Sequence, residues 1–126
     1  MYSPELLDHF EHPRNVGELE HPDVVVETEN PACGDIMRLM FKCPAGTIEE
    51  VRYKTRGCVA AIACGSALTE MIAGKSLRNA EAITREALLS IIGGLQNESM
   101  HASHLAIDCL KAALKKAFQL QRGITG

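Results

Sequence analysis

Hydrophobic and polar positions follow two different periods along this chain, and the switch falls near residue 58. Before it, Ile36 to Cys43 alternates. Met37, Leu39, Phe41 and Cys43 fall on one side and Arg38 and Lys42 on the other, the pattern of a half-buried strand. Val24 to Thr28 is β-branched and follows Pro22-Asp23, which predicts another strand, and Ile48 to Thr55 predicts a third with Val51 and Tyr53 facing inward. Asn30-Pro31-Ala32-Cys33-Gly34-Asp35 must loop between the first two, and Pro44-Ala45-Gly46 turns between the second and third. Connections this short predict an antiparallel meander. After the switch, Val59 to Ala73 is alanine-rich, with Ile62, Ala63, Leu68, Met71 and Ile72 at helical spacing and Gly74 closing it. Thr84-Arg85-Glu86 caps a further helix through Ile92, ended by Gly93-Gly94. A last helix, with Ser99 as its cap, runs to about Arg122 and leaves a frayed tail at 123–126. At the other end, Ser3-Pro4-Glu5 starts a short helix that reaches about His12 before Pro13. A sheet followed by helices on one face is an α+β architecture. The expectation is a single domain over residues 1–126: a three-stranded antiparallel sheet covered by helices, with a long C-terminal helix.

Composition narrows the function more than the fold. The 126 residues are 46% hydrophobic and 23% charged, as in ordinary globular proteins, which excludes disorder. Lys and Arg number 13 against 16 Asp and Glu, a formal charge of −3 with no concentrated basic patch, so nucleic acid is not an expected partner. Tyr2, Tyr53, Phe10, Phe41 and Phe118 are too few for a base-stacking platform. No stretch approaches the roughly 18 apolar residues of a membrane span. The five cysteines make an odd count, and Met1 to Phe10 lacks the basic start and apolar run of a signal peptide. Free thiols in a reducing cytoplasm are therefore expected rather than a disulfide framework.

Two cysteines stand apart because of their neighbours. Cys33 lies in a loop beside Gly34, which permits an unusual backbone angle. Cys58 follows Gly57 where the third strand gives way to a helix, and a thiol there faces unpaired N–H groups and the positive dipole end, which favour thiolate. Asp35 offers a carboxylate two residues after Cys33, and His101 and His104 supply imidazoles at the start of the last helix. Cys33, Asp35, Cys58 and His101 together form a donor set of mixed softness that suits zinc or iron. Compact CxxC pairs are absent, and widely separated Cys and His residues usually do not meet in space. Spacing alone leaves the function open.

Longer stretches of sequence carry a resemblance. Tyr2-Ser3-Pro4-Glu5-Leu6-Leu7-Asp8-His9-Phe10 followed by Pro13-Arg14-Asn15-Val16-Gly17 resembles the opening of the IscU/NifU-type iron–sulfur cluster assembly scaffolds. Pro31-Ala32-Cys33-Gly34-Asp35 is similar to their first ligand loop, and Lys54-Thr55-Arg56-Gly57-Cys58 with Ala61-Ile62-Ala63 to their second. Gly74-Lys75-Ser76-Leu77 matches a further landmark, and His101-Ala102-Ser103 falls where their third ligand segment lies. The resemblance implies a platform on which a cysteine desulfurase delivers sulfur, iron joins it, and a [2Fe–2S] cluster forms for transfer to apo-proteins. It implies thiolate ligation by Cys33 and Cys58, an accessory oxygen from Asp35 and an additional ligand in His101. Such a protein is a carrier rather than an enzyme.

The chain also departs from the family pattern. A third cysteine follows the histidine in that family, and here the position is Ala102. With two thiolates per chain, a cluster shared by a homodimer becomes a hypothesis. Cys109 sits ~10 Å further along the helix axis and is read as core, as are Cys64 and Cys43. His104 is read as a solvated helix residue, and His9, His12 and His21 as surface. The family's Leu-Pro-Pro-Val-Lys segment is replaced by Leu95-Gln96-Asn97-Glu98-Ser99, which speaks against release assisted by a heat-shock-type chaperone. The long insertion of SufU-type zinc-dependent sulfur acceptors is missing too. Two rivals remain: a zinc-binding sulfur acceptor or regulator of a cysteine desulfurase, and a non-catalytic paralogue that only binds partners.

Overall fold

The computed structural model describes residues 2–125, with side chains through Arg122. The chain runs α1 (Pro4–Glu11), β1 (Val24–Glu29), β2 (Ile36–Lys42), β3 (Glu50–Arg56), α2 (Val59–Ile72), α3 (Leu77–Glu81), α4 (Arg85–Ile91), a single 3-10 turn (Asn97–Ser99) and α5 (His101–Thr125). The strands form one antiparallel sheet in the order β1-β2-β3. Its inner face is built in rungs: Val24, Phe41 and Val51; then Val26, Leu39 and Tyr53; then Thr28, Met37 and Thr55. Alternation puts these residues under the helices, and Leu39, Phe41 and Met37 are completely buried. Each such apolar side chain contributes roughly 1.5–3 kcal/mol. The outer face carries Glu27, Arg38 and Lys54 across one rung, with Glu18 bridging to Arg38 at 3.5 Å and to Lys54 at 3.4 Å. Among the described residues no helix is long and apolar enough to cross a membrane.

Four contacts fix the helices that carry the site. A Cβ on Gly65 would lie 2.4 Å from Cε2 of Tyr53, so α2 approaches β3 with nothing between its backbone and that ring. The Tyr53 hydroxyl donates to the Ile62 carbonyl at 2.7 Å, which locks the direction in which α2 leaves β3. On the other side of the core, α5 is pinned to β2 by the Cys109 thiol on the Met37 carbonyl (3.5 Å) and to β1 by Lys116 on the Val25 carbonyl (3.0 Å). Its first residue, His101, therefore stands at the sheet end where the β1–β2 loop closes and β3 stops.

Several elements differ from the sequence expectation. The strand predicted from Ile48 begins at Glu50, because Ile48 instead pairs its backbone with Lys75 and Gly74. α3 was not anticipated: its five residues are too few to show a period, although Ser76 caps it by accepting from the Asn79 N–H at 3.1 Å. Ser99 lies in the 3-10 turn, and α5 starts after it. That helix continues through Thr125, past the expected stop at Arg122, and the remaining tail residue, Gly126, lies outside the described residues. Cys43 is half-buried just beyond β2 rather than in the core, held there by its N–H on the Asp23 carboxylate at 2.7 Å. α2 is buried on nearly every side, while Ile62 and Met71 reach its periphery.

His9 is the largest correction among the histidines expected at the surface, being only 6% exposed. Its Nδ1 lies 2.8 Å from the Ser66 hydroxyl, which also accepts the Arg14 N–H at 2.9 Å, so α1 and the segment after it are stapled to α2. Burial first, and then the Arg14 guanidinium, hold His9 below its ordinary value, against the opposing pull of Glu70 and Asp8. The native imidazole thus resists a proton that the unfolded chain accepts below the ordinary histidine value of about 6.5. Stability attributable to His9 is complete above that value and lost as the pH falls. Chemical denaturation between about pH 5 and 7 is expected to show stability rising with pH, and His9→Gln to flatten that rise. An unchanged slope in the variant contradicts this assignment.

Candidate metal centre

Three segments distant in sequence meet at the end of the sheet. The loop Asn30 to Asp35 closes on itself: the Asn30 N–H donates to the Asp35 carbonyl (2.8 Å), the Gly34 N–H donates to the Asn30 carbonyl (2.7 Å), and the Asn30 side chain accepts from the Ala32 N–H (2.9 Å). Gly34 takes φ +79°, which a residue with a side chain rarely adopts, and this turns the chain between Cys33 and Asp35. Cys33 is consequently exposed, while the Asp35 side chain points inward at 12% exposure. β3 ends at Arg56, and Cys58 is the N-cap of α2. His101 opens α5 with its side chain 28% exposed.

Three of the four expected donors lie together. Sγ of Cys33, a carboxylate oxygen of Asp35 and a ring nitrogen of His101 all lie within 4.8 Å of one another. Nε2 of His101 is 3.4 Å from Oδ2 of Asp35 and 3.7 Å from Sγ of Cys58. The Cys58 N–H points at the same Oδ2 from 3.4 Å. Cys33, Asp35 and His101 thus face one partly open point, and the Cys58 sulfur adjoins it beside His101. Tetrahedral ligands at zinc stand roughly 3.5 Å apart, a spacing that the Asp35–His101 and His101–Cys58 pairs already approach.

One electrostatic expectation fails. The helix N-terminus does act on Cys58, since the N–H groups of Ala61 and Ala60 favour its thiolate. Burial outweighs them and pushes the thiol up, and the adjacent Asp35 carboxylate adds to the rise. The local dipole was readable from sequence; the desolvation belongs to the packed corner. A cation at this point reverses the balance, because metal binding displaces the thiol proton.

The remaining candidates stand clear of the corner. Cys64 and Cys109 are completely buried, and burial raises their thiols to about 12 and about 11. His104 is exposed, as expected of a solvated helix histidine. Ala102, beside His101, is fully buried. A cleft of about 1350 Å³ opens near the Pro44–Gly46 turn and the C-terminal half of α5, and it shares no residue with the donor set. Sequence reasoning missed two supporting residues, Asn30 and Gly57. The signal for each was an Asn opening a Pro- and Gly-containing loop, and a Gly directly before the helix-capping cysteine.

An α+β platform with a thiol, carboxylate and imidazole corner at one sheet end defines the class, and comparison with known proteins specifies it. Residues 1–122 match the NifU-like N terminal domain. The chain is 44% identical over 119 residues to iron-sulfur cluster assembly scaffold protein IscU 1 of Archaeoglobus fulgidus, covering 94% of this chain and 78% of that one. It is 44% identical over 117 residues to iron-sulfur cluster assembly scaffold protein IscU of Haemophilus influenzae, covering 90% and 92%. The crystal structure of a NifU-like protein (N-terminal) from Brucella abortus superposes with a TM-score of 0.76 at 16% identity over 93% of this chain and 94% of that one, a likeness of fold. This chain belongs to the IscU/NifU family.

Exposure orders the thiols for a chemical test. Iodoacetamide is expected to label Cys33 first, Cys43 and Cys58 more slowly, and Cys64 and Cys109 only after unfolding, as read by mass spectrometry. Stoichiometric Zn²⁺ is expected to suppress labelling at Cys33 and Cys58 but not at Cys43. Unchanged Cys33 labelling under zinc contradicts the donor set.

Proposed function

We propose that this chain is an iron–sulfur cluster assembly scaffold whose cargo, iron and a [2Fe–2S] cluster, is held by Cys33, Asp35, Cys58 and His101. The observation that carries the reading is the convergence of Cys33, Asp35 and His101 at one accessible corner, with the Cys58 sulfur against His101. The names of its relatives support it, since each is a scaffold for cluster assembly at more than 40% identity. A [2Fe–2S] cluster needs four terminal ligands from protein, and one chain offers four donors. Two are soft thiolates that suit iron–sulfur units, and two are harder, weaker partners. That imbalance favours release, which a carrier needs.

The reading extends to partners and geometry. A cysteine desulfurase is the sulfur donor and apo-proteins are the recipients; the exposed Cys33 loop is the side from which both reach the corner. Cys33, Asp35 and His101 lie close enough for one ion. The same closeness supports a second occupant, a single zinc ion. Because each chain has only two thiolates at the corner, two copies sharing one cluster would provide four. A monomeric cluster-loaded protein would count against sharing.

Anaerobic reconstitution with ferrous iron and sulfide, followed by absorption spectroscopy and metal counting, tests the proposal. The expected result is a visible chromophore with equal iron and sulfide, lost in Cys33→Ser and in Cys58→Ser. Ala102→Cys is expected to retain the cluster longer; equal or shorter retention would mean that the new thiol stays with the core. One tightly held zinc and no chromophore would replace the scaffold reading with the zinc reading.

A further inference from the structure

The space that a side chain on Gly57 would fill is occupied by the Asp35 carboxylate. A Cβ there would lie 2.6 Å from Cγ, 2.8 Å from Oδ2 and 2.9 Å from Oδ1 of Asp35, well inside the ~3.5 Å at which carbon meets a neighbour comfortably. Backbone conformation does not call for glycine at this position: Gly57 is absent from the residues with positive φ, unlike Gly34. What the position requires is the missing Cβ. Asp35 has little freedom to yield. Its carbonyl holds the Asn30 N–H at 2.8 Å, and the next residue, Ile36, is paired in β2 with Glu29 and Arg56. Only its two side-chain torsions remain, and turning them carries Oδ2 away from both the Cys58 N–H and His101 Nε2.

We propose that Gly57 is a positioning residue of the metal corner: by lacking a side chain, it lets the Asp35 carboxylate lie where it reaches His101 and the cargo. Gly57 itself touches no cargo. The inference rests on Asp35 serving as a ligand, and it adds that the residue before the second cysteine decides whether that oxygen is in reach. A methyl group at position 57 switches the oxygen donor off while leaving every donor residue in the sequence.

The test measures Zn²⁺ affinity by competition with a chromophoric chelator, with thermal unfolding followed in parallel. Gly57→Ala is expected to weaken zinc binding by about 10–100-fold, the usual loss when a group that orients a ligand is disturbed. Asp35→Ala is expected to do the same. The double variant Gly57→Ala with Asp35→Ala should bind no more weakly than Asp35→Ala alone, since the two act through one carboxylate. Should Gly57→Ala fail to fold, removing the carboxylate in the double variant is expected to restore folding, and failure of both to fold overturns the proposal. Wild-type affinity in Gly57→Ala beside a weakened Asp35→Ala overturns it while leaving Asp35 as a ligand. Fully additive losses overturn it as well. If Asp35→Ala binds zinc normally, the ligand reading falls instead; a crystal structure of Gly57→Ala then decides the steric claim, with a displaced carboxylate expected and an unmoved one overturning it.

Discussion

A single carboxylate ties the functional end of this molecule together. Asp35 arrives from the β1–β2 loop, lies against the bare Cα of Gly57, receives the Cys58 N–H and faces His101 from α5. At 12% exposure it has given up most of its water. A largely dehydrated charge is tolerable only with such polar partners around it. The corner also lies above the Tyr53–Gly65 and Cys109–Met37 contacts, which fix where α2 and α5 begin. The sheet provides the rigid base, and the loop carrying Cys33 provides the accessible edge.

The chemistry follows from mixing donors rather than perfecting them. Four thiolates would hold a cluster firmly, whereas two thiolates with a carboxylate and an imidazole form a softer grip. Burial adds to this at Cys58, whose thiol is pushed up, so a bound cation would have to displace its proton to solvent. Ala102, beside His101, places only a methyl group there, and it is buried in the core.

What sequence alone revealed, and what it hid, divides along a physical line. Caps at Ser3 and Thr84 were legible because they involve residues three apart, and both are present, with the hydroxyl of Ser3 accepting from Leu6 at 3.0 Å and that of Thr84 from Ala87 at 3.1 Å. The strand faces were legible because alternation is local. α3 escaped because five residues contain no readable period. His9 was misplaced because its burial depends on Ser66, 57 residues away. At the corner, the donor types and Gly34 could be read from composition and spacing, but convergence is a property of the whole fold. The resemblance implied it, and the coordinates give distances among Cys33, Asp35 and His101 and between His101 and Cys58. The Gly57–Asp35 contact was invisible for the same reason, since only packing shows what an absent side chain makes room for.

The central claim is that Cys33, Asp35, Cys58 and His101 act on one point in space. X-ray absorption fine structure on the protein loaded with one equivalent of Zn²⁺ tests it most directly. The account predicts two sulfur scatterers at about 2.3 Å with two nitrogen or oxygen scatterers at about 2.0 Å. A first shell with fewer than two sulfurs, or one without the light-atom donors, would contradict it.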